Sequence, residues 1–117
     1  MPDYPCLTLR VLVAPDILIG AGKADLLQAI AETGSIAAAG RRMGMSYKRA
    51  WYLIDTLNRY FGESVVASAK GGRTGGGAVL TETGRTVLDL YRRIQRKAEA
   101  AVAEELDALA ALAAIVK

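Results

Sequence analysis

The stretch Ser35–Trp51, SIAAAGRRMGMSYKRAW, decides how this 117-residue chain is read. Ser35 is a natural helix N-cap, because its side-chain oxygen can accept from an amide of the first turn. Ile36 to Met43 then forms a very short helix that Gly44 ends, and Ser46 caps another only two residues later. That second helix is predicted from about Tyr47 to Tyr60. Two helices joined by so short a glycine-containing turn make a helix-turn-helix unit. Ala39, Gly40 and Ala50 are small enough for the axes to cross closely, while Met43, Met45 and Leu53 supply the shared apolar contact. Ordinary helical corners also use glycine turns, so the faces of the second helix must decide. Its apolar face reads Ala50, Trp51, Leu53, Ile54, Leu57 and Phe61, with Trp51 expected in the core because large aromatics are seldom left in water. Its other face reads Lys48, Arg49, Tyr52, Asp55, Thr56 and Arg59. In a major groove the N-terminal residues of such a helix reach base edges. The planar fork of Arg49 suits guanine O6 and N7, and Lys48 suits guanine or phosphate. Ser46 and the free amides of its turn suit a phosphate oxygen.

Upstream, Leu7–Val13 (LTLRVLV) reads as a short strand ending before Pro15, and Asp16–Gly22 as a turn region with two glycines. A helical period begins at Lys23, with Leu26, Leu27, Ile30 and Ala31 on one stripe, and Thr33-Gly34 stops it. Downstream, Val65-Val66 and Ala78–Thr81 flank Lys70–Gly77, KGGRTGGG. The glycines invite a phosphate-loop reading, which fails because a strand and not a helix follows them. A plain linker is a poor fit between two pairing strands. A hairpin wing fits better: glycines let backbone approach DNA closely, and Lys70 and Arg73 are the cations a narrow minor groove attracts.

Thr81 or Thr83 can cap a last helix that is predicted to continue to the end of the chain. Val87, Tyr91, Ile94, Ala98, Val102, Leu106, Leu109, Ala113 and Val116 recur along it with a mean period of about 3.6, that of a straight α-helix. Such a helix would be about 50 Å long, more than one small core covers, so its far half needs a partner.

Composition excludes other classes. With 52% hydrophobic and 23% charged residues the chain fits one domain with a real core. One cysteine (Cys6) and no histidine rule out a disulfide framework, the usual structural zinc sites and the commonest general base. The carboxylates, lysines and tyrosines form no recognisable catalytic constellation, so the chain is read as not an enzyme. The N-terminus lacks a basic n-region, and the alanine-rich tail carries Glu99, Glu104, Glu105 and Asp107, so a cytoplasmic protein is expected. Charge is unevenly placed: residues 41–97 hold twelve bases against four acids, residues 1–40 two against four, and residues 98–117 one against four. A basic middle between acidic ends fits a polyanion partner as well as it fits an ordinary solvated face.

The runs Ser46-Tyr47-Lys48-Arg49-Ala50-Trp51 and Gly71-Gly72-Arg73-Thr74-Gly75-Gly76-Gly77-Ala78-Val79-Leu80-Thr81-Glu82-Thr83-Gly84 resemble the DNA-binding domain of ModE-type molybdate-responsive regulators, a winged helix related to the LysR type. Gly34-Ser35-Ile36 also looks like that family, and the resemblance covers most of the chain. It implies a mainly α fold with a small β-hairpin wing (α+β), a winged core over 1–82 and a long C-terminal dimerisation helix over 83–117, all one domain. It further implies a homodimer joined by the first and last helices and bound to double-stranded operator DNA at molybdate-transport or molybdenum-enzyme genes. The candidate DNA contacts are Ser35, Ser46, Tyr47, Lys48, Arg49, Tyr52 and Arg59, with Lys70, Arg73 and Thr74 on the wing. No metal or cofactor is expected in this chain, since the β-barrel domains that hold molybdate in full-length members have no counterpart in it. Two other readings stay open. One is a small-oxyanion binding protein that cradles molybdate in the glycine loop; the other is a helical dimerisation module with no DNA role.

Overall fold

In the computed structural model, which describes residues 4–69 and 77–114, Arg10–Ala14 (β1) pairs antiparallel with Ile17–Gly20 (β2). Val11 faces Ile19 and Leu12 faces Leu18, with an irregularity before Ala14. The strand expected over Leu7–Val13 therefore starts later, and the turn expected over Asp16–Gly22 shrinks to Pro15-Asp16. Ile17, Leu18 and Ile19 are strand formers, and the two glycines that pointed to a turn do other work. Gly20 is extended (φ −128°, ψ −177°) and completes the ladder against Arg10, whereas Gly22 lies inside the helix Ala21–Thr33 (α1). Gly34 ends α1 in the left-handed conformation (φ 70°), its N–H donating to the Ile30 carbonyl at 2.8 Å.

Ile36–Arg42 (α2) and Tyr47–Tyr60 (α3) follow, then the hairpin of Val66–Ala69 (β3) and Gly77–Leu80 (β4), and finally Glu82–Ala101 (α4) and Ala103–Leu112 (α5). Val66 faces Leu80 and Ala69 faces Gly77 in the second hairpin. Leu26, Leu27 and Ile30 of α1 meet Ala50 and Leu57 of α3 and Val65 in a fully buried centre, with Leu80, Leu88 and Tyr91 closing it from the C-terminal side. At about 1.5–3 kcal/mol for each large aliphatic side chain, this centre holds α1 and α3 together, and α2 joins it through its buried Ala39 and Gly40.

Thr81 caps α4: its Oγ1 accepts from the Gly84 N–H at 3.0 Å and donates to the Ser64 carbonyl at 2.6 Å. Gly84 is there for space, since a Cβ on it would be driven into the Val65 carbonyl. Farther on, the Tyr91 hydroxyl donates to the Leu9 carbonyl at 2.7 Å and Arg92 pairs with Asp25 at 2.9 Å, tying the segment before β1 and α1 to α4. The last helix is not continuous as expected. It breaks at Val102 (φ −115°, ψ 18°), and no residue of α5 is buried. Sequence periodicity records a face, but with no core beneath α5 the break forfeits no packing. Among the described residues no helix is long and apolar enough to cross a membrane.

Candidate nucleic-acid interface

The geometry of the basic surface follows from how α2 and α3 cross. Gly40 and Ala50 are buried at the crossing, and a Cβ on Gly40 would stand 3.3 Å from the Ala50 Cβ and 3.4 Å from the Met45 carbonyl oxygen. Gly44 takes φ +69°, and the Met45 N–H returns to the Gly40 carbonyl at 2.9 Å. This tight turn sends the first turn of α3 outward. Ser46 Oγ accepts from the Arg49 N–H at 3.1 Å, and Ser46, Tyr47, Lys48 and Arg49 are all exposed. Among the described residues neither Lys48 nor Arg49 enters an ion pair. Two cations beside the positive end of a helix, facing water, are the electrostatic requirement for holding a phosphate backbone.

The remaining predicted residues are placed as follows. Tyr52 is exposed on the same side of α3 as Lys48. Arg59 is exposed too, yet it pairs with Asp55 at 3.0 Å, one helical turn back. Such a surface pair is worth only about 0.3–0.5 kcal/mol, so a phosphate can compete for the guanidinium. Ser35 caps α2, its Oγ accepting from the Ala38 N–H at 3.1 Å. It shares a shallow concavity with Tyr47, Trp51 and the wing-root residues Ser68 and Gly77. Lys70, Arg73 and Thr74 lie outside the described residues. Arg42, at the end of α2, is engaged by Glu32, whose carboxyl is held below its ordinary range by hydrogen bonds from Gln28 and then Arg42.

Trp51 corrects the sequence reading: it is 51% exposed and not in the core. The buried stripe of α3 is centred on Ala50, Ile54 and Leu57, which leaves Trp51 at its edge. An indole also cannot enter a crossing that Gly40 and Ala50 hold at side-chain contact.

Asn58 was missed altogether. Its Oδ1 accepts from the Val65 and Val66 N–H groups at 2.8 and 3.1 Å, and its Nδ2 donates to the Val66 carbonyl at 3.3 Å. The start of the wing is thereby fixed to α3. The one available signal was an amide near the apolar stripe, a position where a polar side chain must find partners. The other wing strand is fixed as well, since the Ala78 N–H donates to the Gly34 carbonyl at 3.0 Å.

A family model of bacterial regulatory helix-turn-helix proteins, lysR family, matches residues 23–85. The chain is 42% identical over 93 residues to the molybdenum-pterin-binding protein MopB of Rhodobacter capsulatus, which covers 80% of this chain and 34% of that protein. It is 43% identical over 77 residues to the DNA-binding transcriptional dual regulator ModE of Escherichia coli K12, covering 63% of this chain and 29% of the regulator. The chain thus spans about a third of the length of these curated relatives. A crystal structure of the CbnR DNA-binding domain in complex with DNA is similar at a TM-score of 0.57 and 25% identity, covering 75% of this chain and 95% of that one. Since the family model takes in both helices of the crossing, the wing and the head of α4, the chain belongs to the lysR family of bacterial regulatory helix-turn-helix proteins.

Proposed function

We propose that these residues form the DNA-binding unit of a molybdate-linked transcriptional regulator, acting as a homodimer. The observation that carries this reading is the first turn of α3, where Ser46, Tyr47, Lys48 and Arg49 stand in water with both cations free of ion pairs among the described residues. Arg49 would read a guanine edge, Lys48 and Ser46 would hold phosphates, and Tyr52, Arg59 and Ser35 would flank them. Lys70, Arg73 and Thr74 are assigned to the wing from the sequence alone. Kinship with ModE and MopB supports molybdate as the physiological context.

A dimer through α1 and the last helices is supported by the exposed Leu90 and Ile94 of α4 and Leu109 and Leu112 of α5. Two-fold symmetry then places half-sites about 34 Å apart, or a multiple of it. Selection of bound fragments from a random duplex pool, with and without molybdate, tests the reading. If a dimer neutralises roughly eight phosphates, log K against log[salt] should fall with a slope near ~−7. The variant Lys48→Ala/Arg49→Ala should abolish specific binding while the dimer persists. A flat salt response, or unchanged binding by this variant, refutes the assignment.

A further inference from the structure

Burial leaves Tyr47, Trp51 and Tyr52 exposed on α3, and Trp51 is the largest of the three. Half of Trp51 is in water, although an aromatic of its size ordinarily gains most by being covered. It follows Tyr47 by four residues and Lys48 by three, so all three are neighbours on the surface of α3. With Ile36 at the head of α2, Ile54 and Asn58 of α3, and Val66 and Gly77 at the root of the wing, Trp51 lines one open concavity. The ring thus forms one wall of a groove between α2, α3 and the wing root, with its outer part open.

We propose that Trp51 is a specificity-determining residue whose indole lies against the C5-methyl of a thymine in the major groove. This rests on the DNA-binding reading above. Lys48 beside the ring can position a duplex through its phosphates, which carry no sequence information. The ring adds an apolar surface, and the thymine methyl is the apolar group that a base pair presents in the major groove. A second copy of the chain is disfavoured as the occupant, because Lys48 and Arg49 on this same helix would be brought against their own like charges.

The test uses the duplex obtained by selection, with each thymine replaced singly by deoxyuridine, which removes only the methyl. Binding of the wild-type chain, Trp51→Phe and Trp51→Ala is followed by fluorescence anisotropy, and folding by thermal melting. At one position in each half-site, wild type should lose about fourfold in affinity, the worth of one buried carbon. Trp51→Ala should be indifferent to uracil there and should weaken specific binding about tenfold or more, with non-specific affinity and salt slope unchanged. Trp51→Phe should keep part of the methyl sensitivity. The proposal is overturned if no uracil position matters to wild type, or if Trp51→Ala keeps the wild-type response to uracil. It is likewise overturned if both variants weaken specific and random duplexes alike, which marks the ring as structural. Failure of the wild-type chain to bind any duplex is a different result, which removes the DNA-binding reading itself.

Discussion

Replacing Asn58 by alanine isolates the contact that joins the wing to α3. The side chain satisfies the N–H groups of Val65 and Val66, which are 0% and 6% exposed, and donates to the Val66 carbonyl. Alanine leaves the two donors without their side-chain acceptor. An unsatisfied buried donor costs about 1–3 kcal/mol, so the loss should be roughly 2–5 kcal/mol. In a domain of this size roughly 4 °C of melting temperature accompanies each kcal/mol, giving a fall of roughly 8–20 °C by circular dichroism. Asn58→Asp is the control. It keeps the oxygen that accepts both N–H groups but sets a second acceptor, in place of the Nδ2 donor, against the Val66 carbonyl, so it should cost about 1–3 kcal/mol. An Asn58→Ala protein within about 0.5 kcal/mol of wild type, the range of an inconsequential surface change, refutes the role given to this residue.

Gly84→Ala should destabilise by more than about 2 kcal/mol in urea unfolding, because the new methyl meets the Val65 backbone and not a side chain that can rotate away. Asp55→Ala should release Arg59 to a phosphate, tightening DNA binding and steepening the salt slope by about 0.9 for each phosphate gained, at a cost in stability below about 0.5 kcal/mol. Burial pushes the Tyr91 phenol above its ordinary value of 10.0, so the folded state favours its neutral form. Stability from this source is fully present below pH 10 and is lost as pH rises through the elevated value. Melting temperature should therefore fall in strong alkali for wild type. Tyr91→Phe should flatten that fall while costing about 1 kcal/mol at neutral pH for the lost bond to Leu9.

What the sequence disclosed was mostly local. Ser35, Ser46 and Thr81 each cap a helix by accepting from the amide three residues on, a bond encoded within one turn of chain. The α2–α3 crossing was legible for the same reason, since only small residues permit it. Readings failed where distant partners decide. Ile17–Gly20 becomes a strand because β1 lies alongside it, against the local message of its glycines. Trp51 keeps an apolar period but is displaced outward by a crossing too close to admit it. Asn58 announces nothing until the first wing strand folds back over it, and the break at Val102 falls beyond Tyr91, the last buried residue of α4.

The double attachment of the wing has one more consequence. Asn58 grips one strand and the Gly34 carbonyl grips the other, so the span from α3 to the wing root is set like the jaws of a calliper. A gauge of fixed opening does not adjust to what it measures. On a duplex partner the yielding falls to the DNA, and operators whose grooves open or narrow cheaply to that width should be favoured even at base pairs no side chain touches.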